Sequence, residues 1–209
     1  MHRFSRGAVS DLQHLVAAER DALVADLAGL TGGQWNSPTL CSGWTVRDVV
    51  AHLSAIASLT QVTLAIGLTR ARFDFDTFAG RSLQRHRGPD TAATLSEFRN
   101  ARNQAKRPWL GELVVHGADI RGPLQIPHLY APGALMTVAD FYKHYNLLIG
   151  AKNRIAGLAL QATDEEWSHG HGPLVAGPLL SIVLAMTGRR AGCQNLNGPG
   201  VDVLERRCS

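Results

Sequence analysis

The chain has 209 residues, 45% of them hydrophobic and 18% charged, a balance that supports a folded core and excludes a disordered chain. The formal net charge of +4 is spread thinly, with no block of five or more like charges, so a nucleic-acid footprint is not expected.

The N-terminal "MHRFSRGAVSDLQHL" is basic but has no apolar h-region, which predicts no secretory leader. Leu12, Leu15, Val16, Leu23, Val24, Leu27 and Leu30 recur mostly at spacings of three and four, predicting a helix over about 9–30 that stops at "TGG". After a turn-rich stretch, Thr45 is placed to cap a second helix. Asp48 answers it as a shortened capping-box partner, and Trp44 can staple onto Val49. Val46, Val49, Val50, Leu53, Ile56, Leu59 and Val62 give that helix one buried face. The apolar run "VVAHLSAIASLTQVTLAIGL" is broken by His52 and five other polar residues, so no membrane span is expected.

Residues 73–87 are mixed, and "RHRGPD" marks a loop. A polar helix is predicted over 91–105, capped by Thr91 or Thr94 and broken by Pro108. A third apolar helix runs from near Trp109 to about Ile120. A fourth is predicted over 133–151, with Leu135, Val138, Phe141, Tyr142 and Leu148 facing inward. From residue 154 the composition shifts. "RIAGLALQATD" reads as a strand, "SHGHGPLVAGP" as a hairpin-like stretch with a short strand at 173–176, "PLLSIVLAMTGRR" as a compact helix, and "GPGVDVLERR" as a short strand or turn. The fold class is therefore mainly α. Residues 1–153 are expected to form an up-down four-helix bundle, and 154–209 a small α+β appendage docked on it through Leu158, Leu160, Leu179, Leu180, Ile182 and Leu184.

Glu112 and His116 stand four residues apart on the third apolar helix, which places both on one face, a turn apart. An ionised glutamate among Leu113, Val115 and Ile120 needs a partner. With His52 from the second helix, the pair would give a divalent ion three ligands and leave a position open, as in catalytic sites. Each residue also has a plainer reading. His52 alone fits a hydrogen-bonded core histidine, and Glu112–His116 fits a surface ion pair. Asp119 fits either a group that orients the His116 ring or a solvated charge in the last turn. Arg47 and Arg121 read as solvated charges near helix ends or as anchors for acidic groups. The other histidines have no partner at ligand spacing, and His86 reads as part of a solvated basic cluster. Cys41, Cys193 and Cys208 are an odd number at wide spacing. They make neither a disulfide framework nor a CxxC zinc knuckle, which points to a reducing, cytoplasmic setting. GxSxG, P-loop and GxGxxG signatures are missing.

Three stretches carry a family resemblance. "LCSGWTVRDVVAHL", "WLGELVVHGADIRGPL" and "LQATDEEWSHGHGPLVAGPLLSIVLAMTGRR" resemble signatures of the mycothiol-dependent maleylpyruvate isomerase-like proteins, within the DinB/YfiT-like superfamily. The resemblance implies a bundle with a divalent metal held by His52, Glu112 and His116, and mycothiol or a similar low-molecular-weight thiol as cosubstrate. Zn²⁺ is the first expectation for the metal, and Ni²⁺, Fe²⁺ or Mn²⁺ also suit His and Glu ligands. The family's catalytic arginine lies in a C-terminal domain, and Arg189 is its nearest candidate here. Superfamily analogy points to a homodimer. The expected function is a metal-dependent thiol S-transferase or isomerase acting on a small electrophile. The alternative is a non-catalytic metal- or ligand-binding or interaction protein of the same fold, its site lapsed.

Overall fold

The computed structural model describes residues 6–58, 80, 83–147 and 149–208. The expected continuation of the second helix through Leu59 and Val62, most of the mixed segment before Arg87, and Leu148 lie outside the described residues. These form two compact units that part between His128 and Leu129.

The first unit opens with α1 (Arg6–Ala28) and a single turn, α2 (Gly32–Trp35). Thr31 and Gln34 close a reciprocal capping box around α2, so the "TGG" stop also starts a short helix. Then come α3 (Val46–Ser58), α4 (Thr91–Asn100) and α5 (Arg107–Leu124). α1 and α3 each pack on both α4 and α5.

Val16, Leu23 and Leu27 of α1 are buried, and Glu19 lies in the same stripe, 2% exposed. It is kept there by His128, whose Nε2 lies 2.8 Å from Glu19 Oε2. α3 starts as its sequence requires. Asp48 Oδ2 accepts from both Thr45 N (3.0 Å) and Thr45 Oγ1 (2.6 Å), and Asp48 N donates back to Thr45 Oγ1 (3.3 Å). α4 is capped by Asp90, whose carboxylate accepts from Ala93 N at 2.8 Å, rather than by Thr91 or Thr94. Thr94 is instead fully buried, and α4 ends at Asn100. Pro108 sits in the first turn of α5, where its missing N–H costs nothing, so it opens that helix. α5 is buried from Trp109 to Arg121 except at Glu112, the mark of a central helix. Pro123 is accommodated in its final turn, and Gln125 ends it in the left-handed region (φ 54°).

In the second unit the expected fourth helix is shorter. It spans α6 (Ala134–Tyr142) and is followed, after turns, by the single-turn α7 (Ala151–Arg154). α6 packs on α8 (Leu179–Met186), so it groups with the C-terminal segment within the second unit. The residues of "SHGHGPLVAGP" do not pair with one another. β2 (Ser168–Gly170) and β3 (Leu174–Gly177) flank β1 (Ala159–Ala162), antiparallel and parallel respectively. Leu160 faces His169 on one side and Val175 on the other. Nearly every residue of α8 is buried, because β1, β3, α6 and the 3₁₀ helix Arg190–Asn195 all pack on it. Leu158, Leu160, Leu179, Ile182 and Leu184 are thus core residues of this unit, and Leu180 is half-buried. α9 (Val201–Arg206) ends the described fold. No helix among the described residues is long and apolar enough to cross a membrane.

One close approach in the second unit is at Gly192. A Cβ there would lie 2.7 Å from Ser181 O and 2.8 Å from Ala185 N, both backbone atoms of α8. Gly192→Ala should therefore push the 3₁₀ helix off α8 and cost about 1–3 kcal/mol, read as a lowered Tm. An unchanged Tm would show that this packing is looser than described.

Candidate functional site

α3 supplies His52, and α5 supplies Glu112, His116 and Asp119. The loop before α3 brings in Cys41 and Trp44. That loop is pinned to α5 through its backbone, since Leu40 N donates to Asp119 O at 3.1 Å, and Pro38 and Thr45 form an antiparallel bridge across its base.

Glu112 Oε2 lies 3.2 Å from His116 Nε2 and 3.8 Å from His52 Nε2. One ligand atom from each of the three residues falls within 4.8 Å of the others. Ligands about 2.1 Å from a tetrahedral ion sit about 3.4 Å apart, so this donor set fits a divalent cation. The imidazole rings of His52 and His116 meet edge to face, centroids 4.9 Å apart, and Trp44 packs edge-on against His52 at the same distance.

Behind this cluster, Asp119 Oδ2 accepts from His116 Nδ1 at 2.9 Å and from Cys41 Sγ at 3.4 Å. Asp119 is fully buried, which settles its role: it orients the His116 ring and is no solvated charge. Donation from Nδ1 leaves Nε2 facing Glu112 and His52, where it donates to Glu112 when protonated and offers its lone pair when not. Cys41, His116 and Asp119 also fall within 4.8 Å of one another. In that second grouping the shared carboxylate is sealed off, whereas side-chain exposure rises from 9% at His116 to 20% at Glu112 and 25% at His52. The His52–Glu112–His116 grouping thus has two partly exposed members, and the Cys41–His116–Asp119 grouping one.

Burial alone would raise the Glu112 pKa. Hydrogen bonds to His116 and His52, with their charges, reverse this and hold the carboxyl well below the usual range. Burial would likewise lower His116, but Asp119, Cys41 and Glu112 together raise it well above the ordinary histidine value.

Arg189 lies in the second unit between α8 and the 3₁₀ helix, its Nη1 donating to Thr187 O at 2.9 Å. Neither Arg47 nor Arg121 is a solvated charge. Arg47 binds Thr94 Oγ1 and the Gly88 carbonyl, tying α3 to the start of α4. Arg121 is 3% exposed and donates from Nε to Asp26 Oδ2 at 2.7 Å, joining α5 to α1. His86, too, is not merely a solvated cation; its Nδ1 lies 2.5 Å from Glu97 Oε1. The role of Cys41 in backing the site had no signal in the sequence beyond its nearness to the α3 cap.

A mainly helical protein with a partly open His–Glu–His cluster is the class that this geometry defines. Residues 16–111 match the mycothiol maleylpyruvate isomerase N-terminal domain. The resemblance read from the sequence thus holds over that segment. His52 falls within the match; Glu112 and His116 follow directly after it. The fold is shared with the crystal structure of the mycothiol-dependent maleylpyruvate isomerase, at TM-score 0.59 and 13% identity, over 91% of this chain and 92% of that one. An alanine-for-histidine mutant of that enzyme matches over the same shares at TM-score 0.58 and 12% identity. No curated protein matches the chain.

In chelator-treated protein the raised His116 stabilises the fold below its unfolded-state pKa of about 6.5, and this contribution is lost as pH rises through the folded-state value. Glu112, held low, contributes above its unfolded-state pKa of about 4.3 and loses that contribution only as pH falls through its folded-state value. The stabilisation from the pair should therefore be greatest in mild acid and decline toward alkaline pH. Thermal melts across pH check this: His116→Ala should flatten the alkaline decline, and an identical pH profile in parent and variant would contradict the assignment.

Proposed function

We propose that this protein is a metal-dependent thiol S-transferase or isomerase, joining a mycothiol-type low-molecular-weight thiol to a small electrophile. The observation that carries this reading is the convergence of His52, Glu112 and His116 on one partly open point, backed by the buried Asp119. The family match over residues 16–111 supports the thiol as cosubstrate. The three residues would hold the divalent ion, with Zn²⁺ the first choice and Ni²⁺, Fe²⁺ or Mn²⁺ as alternatives. When bound, such an ion supplies the Lewis acidity that keeps a thiol sulfur deprotonated at neutral pH.

The chain's own residues set the conditions for that chemistry. Asp119 fixes the His116 tautomer and ring plane through Nδ1, so that Nε2 presents its lone pair to the site. Glu112 would bring a negative charge that offsets part of the cation's. The edge of Trp44 restricts rotation of the His52 ring. The exposed flank at His52 and Glu112 is the side from which an electrophile would approach. Arg189 is assigned the stabilisation of negative charge that develops on the electrophile. The scaffold is read as a four-helix bundle of α1, α3, α4 and α5. The proposal also includes a cytoplasmic setting, a homodimer and no nucleic-acid partner.

Elemental analysis of protein purified without a histidine tag should find roughly one divalent ion per chain. His116→Ala should lose that ion and all thiol-dependent turnover of an electrophile panel, while its helical circular dichroism stays unchanged. Arg189→Ala should keep the ion and slow turnover on the order of 100-fold. Thiol-dependent turnover that survives complete removal of the ion would refute the mechanism. A normally bound ion with no mycothiol binding by calorimetry would favour the non-catalytic binding protein instead.

A further inference from the structure

The second unit holds a pair of cysteines that the proposed chemistry does not use. Cys193 sits in the 3₁₀ helix Arg190–Asn195, and Cys208 lies two residues beyond α9. Although 15 residues apart in sequence, their sulfurs are 4.0 Å from each other, and both are free thiols. The two segments are held together independently of the sulfurs. Arg190 Nε pairs with Glu205 Oε1 at 2.7 Å, and Arg207 Nη1 anchors the other end on the carbonyls of Arg154 and Ala156. Cys208 Sγ rests against Ala185 O at 3.4 Å. Closing from 4.0 Å to the about 2.05 Å of a disulfide takes a sulfur movement of about 2 Å, within the reach of side-chain rotation.

We propose that Cys193 and Cys208 form a thiol-modification site that takes a low-molecular-weight disulfide as its co-reactant. Cys208 is half-exposed and Cys193 buried, which fixes the order of events. The Cys208 thiolate, having lost its proton to solvent, attacks one sulfur of the small disulfide. A mixed disulfide forms, and the first small thiolate leaves. Cys193 then gives up its proton, its thiolate attacks the Cys208 sulfur and breaks the mixed bond, and the second small thiolate leaves and takes up a proton. In sum, two protein thiols are oxidised by two electrons to one intramolecular disulfide, and one small disulfide is reduced to two thiols. Burial pushes the Cys193 thiol up to about 12 and raises Cys208 too, so both rest as thiols at neutral pH. Exchange at this pair is therefore slow. The site draws on none of His52, Glu112 and His116, and so it stands apart from the function proposed above.

The test uses the full chain with excess oxidised glutathione as the probe, followed by intact mass, thiol titration in denaturant and non-reducing peptide mapping. Two of the three thiols should disappear, the mass should fall by two hydrogens, and a linked peptide should join Cys193 to Cys208; dithiothreitol should reverse all three changes. Cys193→Ser should stop at one glutathionyl group on Cys208, and Cys41→Ser should still form the link. Should Cys193→Ser fail to fold, mapping of the parent chain together with Cys41→Ser still decides the question. A parent chain that stays unmodified, that keeps glutathione without an internal link, or whose link includes Cys41 would overturn the proposal.

Discussion

A carboxylate with no access to water must be fully partnered or it destabilises the fold, and Asp119 is such a group. Its side chain receives His116 Nδ1 and Cys41 Sγ, and its backbone carbonyl receives Leu40 N. The first contact sets the ring that faces the open cluster. The other two hold the loop that leads into α3, and with it the start of the helix that carries His52. One buried acid thus joins the two elements from which the candidate site is built.

The site is graded outward from that acid. Asp119 is sealed, His116 nearly so, and Glu112 and His52 reach partial exposure. Charge follows the same gradient: a sealed carboxylate, a histidine whose protonated form is strongly favoured, then a glutamate held ionised by two imidazoles. A rigid, desolvated base beneath a solvent-reachable rim is what a small-ligand site needs. Its inner groups cannot reorient, and its outer face can still be approached.

At 13% identity the fold is shared with maleylpyruvate isomerase while most side chains differ. α5 illustrates this, for almost any close-packed apolar set could fill Leu110, Leu113, Val114 and Ile120. Polar residues inside such a helix are more constrained. Asp119 and Arg121 each need a partner from another element, and both have one. The same rule applies to Glu19 in the α1 stripe, which His128 reaches.

Local rules carried much of the architecture into the sequence. The Thr45–Asp48 cap, the periodic stripes of α1 and α3, and the shared face of Glu112 and His116 depend on residues within one or two turns, so spacing alone exposes them. Where competing local signals existed, the sequence was less decisive: Asp90 took the cap expected of Thr91 or Thr94, and Pro108 opened a helix as readily as it could end one. Contacts between distant segments were not legible at all. The approach of Cys41 to Asp119, the Arg121–Asp26 and His128–Glu19 pairs, the grouping of α6 with α8, and the meeting of Cys193 with Cys208 each join elements far apart along the chain. No periodicity encodes such meetings, because they follow from which apolar faces pack together. That packing decided which of the chain's histidines, acids and thiols face one another.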